Sequence, residues 1–378
     1  MPSLRDVLDL VESWYPPHFA DSWDAVGLVC GDPADDVRRI LLAVDPVLAV
    51  ADEAVADDAD LVLTHHPLLL KGVHSVAATT PKGQVIHRLL KAGCALYAAH
   101  TNADAPDGGV SHSMALALGL VDPVPLEPDP IEPLDKIVVF APVADAERVR
   151  AAMTDAGAGS IGDYDSCTFT APGEGRFRPL DGANPTIGSV GSLEVVDEVR
   201  IESVCARGLR ERVLAAMLAA HPYEEPAYDV VELAGIDDQT RGSGRIGRLE
   251  APMSLRDFAA RVAAALPETA HGVRVAGDPD QQIGTVALCG GAGDFLLDRA
   301  RASGADVYVT SDLRHHPAGE FREAVLSSGR GVALIDVAHW AAEWTWLPVL
   351  RDRLVAALGD TVTVTVSTRN TDPWTFRA

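Results

Sequence analysis

The sequence has few basic residues and few cysteines. Its 378 residues include 31 lysines and arginines against 55 aspartates and glutamates, a formal net charge of −24. Such a surface repels phosphate backbones and anionic lipids, so we expect neither non-specific nucleic-acid binding nor membrane association. Cysteines without a Cys-x-x-Cys pair or a zinc-ribbon spacing indicate a reducing compartment rather than a disulfide framework. They are Cys30, Cys94, Cys167, Cys205 and Cys289.

Long apolar runs are also missing. No window approaches about 18 uninterrupted apolar residues, so no transmembrane helix is expected. Residues 1–17 carry acidic side chains in their first predicted helix and lack an apolar core followed by a cleavage site, unlike a signal peptide. These absences predict a cytoplasmic protein. Hydrophobic residues make up 47% of the chain, which is enough for a core in each of two or three domains.

A strand-helix-strand pattern occurs twice along the chain. Its strands are apolar runs typical of parallel sheets, and each second strand leads into a His-His-Pro tripeptide, at residues 65–67 and 315–317. We predict a duplicated α/β lobe, although short matches in an alanine-rich chain also arise by chance. The predicted elements are residues 39–45, 47–57 and 60–64 in the first copy and 283–289, 294–303 and 306–310 in the second.

The segment between the two copies is predicted to be an insert. Proline-rich residues 121–135 indicate an irregular linker, and a second linker is expected at 236–246. The strands and helices between them suggest a ferredoxin-like fold. The predicted fold class is α/β, with two pseudo-symmetric α/β lobes packed into one metal-binding body and interrupted by a ferredoxin-like α+β insert. The predicted domains are residues 1–125, 136–235 and 247–378.

Histidines cluster where predicted strands end. Six of the twelve lie at or just beyond the carboxyl ends of strands, the edge at which open α/β sheets bind ligands. A single histidine there is often structural, but His65 and His66 both follow a buried strand, where two imidazoles need polar partners. Metal binding or catalysis is the favoured role of this pair. The six are His65, His66, His100, His315, His316 and His339.

Two carboxylates are placed to join these histidines. Asp104 stands four residues after His100, whereas Asp107 is better explained as an Asx turn. His339 and Glu343 have i, i+4 spacing and share one face if the segment is helical. A surface ion pair is the common explanation of such spacing. Here, however, the duplication maps His339 onto the loop that contains Asp104.

This set of three imidazoles and two carboxylates, with no thiolate, suits Zn²⁺, Mn²⁺, Fe²⁺, Co²⁺ or Ni²⁺. Five ligands are too many for one catalytic zinc with an open position. We therefore expect two divalent ions that share a bridging carboxylate and a water. Asp312 and His316 are the expected catalytic residues, with Arg314 near them. His315 and His316 are equally compatible with a turn.

Two further motifs have alternative interpretations. The Gly-Gly-Ala-Gly segment at 290–293 stands between a strand and a helix, where it cradles an anion or makes a tight turn. The segment His-Pro-Tyr-Glu-Glu-Pro-Ala-Tyr-Asp at 221–229 is interpreted mainly as a structured turn.

Seven stretches in order resemble the GTP cyclohydrolase 1 type 2 homolog family, the Ngg-interacting-factor-like dinuclear metal proteins, over nearly the whole chain. They are residues 22–32, 61–72, 100–109, 221–229, 289–295, 307–316 and 336–343. The resemblance implies GTP ring opening, a ring-like hexamer, and two metal ions held by His65, His66, Asp104, His339 and Glu343.

Some positions depart from that family. The family usually has asparagine where this chain has Ala25, and Gly-Asp-x-Lys-Tyr-His where residues 311–316 read Ser-Asp-Leu-Arg-His-His. No guanine-reading signature is present. The leading hypothesis is a dinuclear metal hydrolase acting on GTP or a related nucleotide. The alternatives are a non-catalytic metal-binding regulator or metallochaperone, and a scaffold with a vestigial site.

Overall fold

The computed structural model describes residues 1–235, 237–328 and 331–378. Two compact units are present, one made of Met1–Asp129 with Asp238–Ala378 and the other of Pro130–Asp237. Among the described residues, no helix has the length and apolar character needed to cross a membrane. All five cysteines are free thiols.

Helices and strands are mixed along the whole chain. The helices are α1 (Leu4–Trp14), α2 (Leu48–Ala56), α3 (Pro81–Lys91), α4 (Thr101–Asp104), α5 (Val110–Ala117), α6 (Ala146–Asp155), α7 (Arg210–Ala220), α8 (Leu255–Ala265), α9 (Leu297–Ala302), α10 (His315–Ser328), α11 (His339–Trp344) and α12 (Trp346–Leu358). The strands are β1 (Gly27–Cys30), β2 (Arg39–Ala43), β3 (Leu61–Thr64), β4 (Ala95–Ala98), β5 (Leu120–Pro130), β6 (Leu134–Pro142), β7 (Thr168–Phe177), β8 (Glu194–Ala206), β9 (Tyr228–Glu232), β10 (Asp237–Ser254), β11 (Arg274–Ala276), β12 (Gln282–Ala292), β13 (Val307–Ser311), β14 (Ala333–Val337) and β15 (Thr363–Val366).

Several helices begin at residues that cap the backbone. The Ser3 side chain accepts a hydrogen bond from the backbone N–H of Asp6, whose carboxylate accepts one from the backbone N–H of Ser3. Thr80 caps α3 in the same way, with Pro81 as the first helical residue. These contacts satisfy N–H groups that have no partner inside the helix.

The first sheet of the larger unit has the strand order β1-β4-β3-β2-β15. Its last four strands in that order are parallel, and β1 is antiparallel to β4. Both faces of its central strands are buried, as their continuous apolar sequences require. Alternate residues contact different apolar clusters, so that Ile40 and Leu42 face one and Leu41 faces the other.

The second sheet has the order β11-β14-β13-β12-β10-β5. Its strands β12, β13 and β14 are parallel, and β10 and β11 run antiparallel to their neighbours. Side chains from both sheets, such as Leu42 and Tyr97 from the first and Val309 and Ile335 from the second, belong to one apolar core. The two sheets therefore form a single folded body.

The proline-rich segment is not the irregular linker that the sequence indicates. Leu120–Pro130 forms β5, an edge strand beside β10, and the expectation is wrong for these residues. An edge strand tolerates proline because one of its two sides needs no backbone N–H donors. Residues 237–246, the described part of the second expected linker, likewise belong to β10.

The smaller unit has the element order β6-α6-β7-β8-α7-β9. Its antiparallel sheet has the strand order β7-β8-β6-β9. Helices α6 and α7 supply Val149 and Val213 to a core that also contains Ile137 and Ile201 from the sheet. This unit therefore has a core of its own.

Candidate metal centre

A cluster of polar side chains lies at the carboxyl ends of parallel strands in the larger unit. His65 and His66 follow β3 directly, and His339 begins α11 just after β14. Asp104 ends the short helix α4, and Glu343 lies one turn into α11. β3 and β14 belong to different sheets, but the two sheets share one apolar core, and the carboxyl ends of these strands come together there.

Glu343 lies among the three imidazoles. Its Oε1 is 2.7 Å from Nε2 of His339 and 3.4 Å from Nε2 of His65, and its Oε2 is 3.1 Å from Nε2 of His66. Asp104 approaches from the other side, with Oδ1 3.6 Å from Nε2 of His65. The structure thus brings together all five residues predicted as metal ligands.

The opposite ring nitrogen of each histidine is already hydrogen-bonded. Nδ1 of His65 lies 3.0 Å from the carbonyl oxygen of Ala99, and Nδ1 of His66 lies 2.7 Å from Oδ1 of Asp45. Metal-binding histidines usually donate their second N–H to a carbonyl or carboxylate, which fixes the tautomer and leaves the other nitrogen free.

In two more imidazoles of the cluster, the Nδ1 atom also lies within hydrogen-bond distance of a carboxylate. Nδ1 of His339 lies 2.8 Å from Oδ2 of Asp312, and Nδ1 of His100 lies 2.8 Å from Oδ1 of Asp24. The ring centroid of His100 is 5.1 Å from that of His65. His100 is thus a fourth imidazole of the cluster.

Among the described residues, three buried atoms of the cluster have no partner with hydrogen-bond geometry, although one of them contacts His66 at 3.1 Å. They are Nε2 of His65, Oδ1 of Asp104 and Oε2 of Glu343. Leaving buried polar atoms unpaired is costly, and each of these atoms is a good donor to a divalent cation. Within the described residues, two sets of ligand atoms lie close enough to hold an ion, one from His65, His66 and His100 and one from His66, His339 and Glu343. The residues present therefore fit a bound metal.

The carboxylate and the imidazoles of the cluster shift one another's pKa values. Burial disfavours a charge on Glu343, but His66, His339 and His65 outweigh it and hold the pKa of Glu343 well below its usual range. Burial also disfavours the imidazolium of His66, yet Glu343 and Asp45 raise its pKa. A divalent ion would take the place of such protons, as metal ligands must be deprotonated.

Sequence comparison identifies the family of the chain. The profile of Duf34/NIF3 (NGG1p interacting factor 3) matches residues 2–373. The chain belongs to the Duf34/NIF3 family. A GTP cyclohydrolase 1 type 2 homolog of Mycobacterium tuberculosis is 51% identical over 376 residues, covering 98% of this chain and 96% of the relative. The homolog of the same name from Bacillus subtilis is 38% identical and covers 98% of each chain.

Solved structures of NIF3-related proteins have the same fold. A Bacillus cereus protein related to NIF3 is 38% identical, with a TM-score of 0.68, and covers 100% of this chain and 99% of its own. Staphylococcus aureus protein SA1388 is 28% identical, with a TM-score of 0.77 and the same coverage. The predicted resemblance to this family is confirmed.

The two predicted catalytic residues have different surroundings in this NIF3-family chain. Asp312 bonds to His339 and has a φ of +56°, an uncommon conformation for a residue other than glycine. His316 lies on the exposed side of α10, and its described ring contact is with His315. No described contact links His316 to the cluster. The alternative interpretation of this His-His pair as a turn is wrong, because both histidines lie in α10, which begins at His315.

The departures from the family pattern lie outside the cluster. Asp24 precedes Ala25, one of the positions that departs from the family pattern. Its carboxylate accepts hydrogen bonds from His100 and from the backbone N–H and hydroxyl of Thr101. Arg314, where the family has lysine, is exposed and forms an ion pair with Asp294. Neither substitution removes a cluster side chain.

The glycine-rich segment makes room for Glu343. A Cβ atom at Gly291 would lie 2.7 Å from Oε1 of Glu343, and the residue has a φ of +72°. The backbone N–H of Gly290 donates to the hydroxyl of Ser111. Close approach of the backbone to the carboxylate therefore explains Gly291.

Asp45 is a residue that sequence reasoning missed. It stands just beyond β2, at the same edge as His65 and His66, and this position is the signal that marks it. Its Oδ2 also accepts a hydrogen bond from the hydroxyl of Thr371. The carboxylate is thereby held between a threonine near the end of the chain and the ring of His66.

Replacing Asp45 by asparagine is expected to lower metal affinity by roughly 10- to 100-fold, because the amide carries no charge to support the imidazole of His66. Competition of the metal-free protein with a chromogenic chelator measures the affinity. Asp298→Asn is the matched control, since its side chain is 93% exposed and distant from the cluster in sequence. Equal affinity of the two variants would show that Asp45 does not position His66.

Proposed function

We propose that this protein binds two divalent metal ions at the cluster and hydrolyses a nucleotide-like small molecule there. The observation that carries the proposal is the convergence of unpaired buried atoms from His65, Asp104 and Glu343, beside imidazoles whose other nitrogens are fixed. The metal set is the five ligands implied by the family resemblance. Glu343 would be a central ligand of bound metal, because its two oxygens face different histidines.

Divalent ions held there supply Lewis acidity and lower the pKa of a coordinated water toward neutrality. The protein's own residues hold the ligands in place. Asp45 orients His66, the carbonyl of Ala99 orients His65, and Asp312 orients His339. We retain Asp312 as a positioning residue. His316 is left out of the proposal because its described contacts do not reach the cluster.

A cavity beside the cluster supports a substrate with a flat ring. Its volume is about 580 Å³, and His66, His339 and Glu343 line one side. Exposed aromatic side chains stand along it, with Trp23 57% and Phe295 64% exposed. Aromatic rings of this kind stack on nucleobases, typically for about 1–3 kcal/mol per base. No lysine or arginine is among the described residues of the lining, so the phosphates of a nucleotide would rely on the bound cations.

Removing the Trp23 ring tests the stacking part of the proposal. Trp23→Ala is expected to raise KM for the substrate about tenfold or more, with a smaller change in kcat, since stacking holds the ring without touching the reacting atoms. Steady-state kinetics with GTP measures both constants. Tyr164→Ala, at a 76% exposed aromatic residue of the smaller unit, is the matched control. An unchanged KM in Trp23→Ala would remove this residue from substrate binding.

Turnover decides between the proposed hydrolase and a metal-binding regulator or metallochaperone. Purified protein loaded with Zn²⁺, Mn²⁺ or Fe²⁺ is incubated with a panel of nucleotides, and released formate and phosphate are measured. The hydrolase proposal expects release that His65→Ala abolishes. Retained metal without release from any nucleotide would favour the regulator.

We also infer that the larger unit arose by duplication. The parallel strands β2-β3-β4 and β12-β13-β14 are adjacent in chain order in their own sheets, and a cluster histidine follows in each half.

The connectivity of the smaller unit supports the ferredoxin-like interpretation of residues 136–235. The proposal that the protein forms a hexamer rests on the family resemblance. Light scattering during size-exclusion chromatography measures the oligomeric state.

A further inference from the structure

A second cavity lies within the smaller unit, and no residue of the metal cluster is among its described lining residues. It has a volume of about 410 Å³ and lies between the end of β7, residues 178–187 and residues 223–227. The covering loop is attached at two points. The backbone N–H of Asn184 donates to Glu224, and the hydroxyl of Thr186 donates to the carbonyl of Pro222. A cavity of this size suits a small molecule.

The walls of the cavity are mainly apolar. The rings of Phe177 and Tyr223 lie at its side, with centroids 5.5 Å apart and planes inclined by 60°. Leu180 and Ile187 from the covering loop complete the wall. Tyr223 belongs to the 221–229 segment, so this motif contributes to a cavity in addition to making a turn.

One acidic side chain is buried in this apolar setting. Glu198 on β8 lines the cavity and is only 9% exposed. Its Oε1 accepts a hydrogen bond from the hydroxyl of Tyr223 at 3.0 Å. Among the described residues, its Oε2 has no hydrogen-bond partner and the carboxylate has no ion pair. A Cβ atom at Gly175 would lie 2.1 Å from Oε2, so the absence of a side chain there leaves room for the carboxylate.

The cationic side chains of the lining do not neutralise Glu198. Arg176 and Arg178 are exposed, and Arg176 forms an ion pair with Glu174. Glu224 and Glu225 add two more acidic groups to the lining. A buried carboxylate without a countercharge is costly, and a cation bound against it removes that cost.

We propose that this cavity binds a small organic cation, an amine, amidinium or guanidinium attached to an apolar or aromatic body. The charged group pairs with Oε2 of Glu198, and the aromatic rings of Phe177 and Tyr223 stabilise the cation and pack against its body. An anion is repelled by Glu198, and a neutral apolar ligand leaves the carboxylate unpaired. The proposal is independent of the metal centre and of its proposed reaction.

Benzamidine and benzamide provide a matched pair of probes. They have the same shape, but only benzamidine carries a positive charge and a planar pair of N–H donors. In calorimetric titration of the full-length protein, we expect saturable binding of benzamidine and at least tenfold weaker binding of benzamide. Nuclear Overhauser contacts should connect the benzamidine ring to Phe177 and Tyr223 in the unaltered protein. Equal binding of the two probes, or no saturable binding of benzamidine, would overturn the proposal.

Variants locate the site. Glu198→Gln should weaken benzamidine binding at least tenfold, and Gly175→Ala should do the same by placing a methyl group against the carboxylate. Glu202→Gln, on the same strand but paired with Lys136, is the control and should bind normally. His65→Ala should also bind normally, which separates this site from the metal centre. Benzamidine binding unchanged in Glu198→Gln would refute the assignment, and the contacts in the unaltered protein decide the question if that variant does not fold.

Discussion

Glu343→Gln is expected to reduce divalent-metal affinity by at least roughly 100-fold. Loss of a residue that only supports a metal ligand typically lowers affinity by about 10- to 100-fold, and Glu343 is itself a proposed ligand. Oε1 and Oε2 of Glu343 face three imidazoles, and the side chain is 3% exposed. Glutamine has nearly the same size but carries no charge, so it would not offset the charge of a cation bound in this buried site. Elemental analysis of the purified variant, followed by calorimetric titration with Zn²⁺, measures stoichiometry and affinity.

The control makes the same substitution of glutamate by glutamine at an exposed position. Glu323→Gln removes a carboxylate from the exposed side of α10 and should leave both quantities as they are. Unchanged stoichiometry in Glu343→Gln would remove Glu343 from the metal site. It would also leave the short distances to His66 and His339 as a buried ion-pair network with a structural role.

Sequence reasoning reaches the cluster through strand ends and the predicted duplication. Residues that follow parallel strands lie at the carboxyl edge of their sheet, where ligands bind. His65 follows a strand of the first sheet and His339 follows a strand of the second, and the duplication is what relates these two edges. The i, i+4 spacing then adds Glu343, because both residues lie on one short helix. Strand ends, helical spacing and the predicted duplication together indicate these residues.

The residues that orient the cluster need three-dimensional information. The contact of Ala99 with His65 depends on a backbone carbonyl, which no side-chain pattern reveals. Asp45 is twenty residues before His65, and its contact with His66 depends on the register of β2 and β3. His316 belongs to a His-His-Pro tripeptide that begins a helix here. Such a short motif has two structural solutions, and only the fold decides between them.

In the smaller unit, even less of the cavity could be predicted from the sequence. The Glu198 carboxylate meets Tyr223 because β8 pairs with both β7 and β6 and the 221–229 segment folds back over them. From sequence alone, Glu198 is one acid among many on an alternating strand. Its burial becomes evident only when the covering loop and Gly175 are placed.

Arg245→Met is expected to destabilise the larger unit by about 3 kcal/mol. Arg245 is fully buried on β10, and its guanidinium donates to the carbonyl oxygens of Ala105, Gly242 and Gly244. Methionine fills much of the same space but leaves these carbonyls without their donors. Because Ala105 follows Asp104 directly, loosening this loop should also weaken metal binding. Denaturant unfolding of the metal-free protein, with metal titration of the folded variant, measures both effects.

Arg248→Met is the matched control, since this arginine lies on the same strand with an exposed side chain. It removes the same charge from a chain of net charge −24, so any effect of overall charge appears in both variants and cancels in their comparison. Equal unfolding midpoints for the two variants would mean that water replaces the guanidinium at little cost. A lower midpoint in Arg245→Met with unchanged metal affinity would separate the stability of the loop from the position of Asp104. A loss of both would show that a residue of β10, from the C-terminal half of the chain, supports a metal ligand contributed by the N-terminal half.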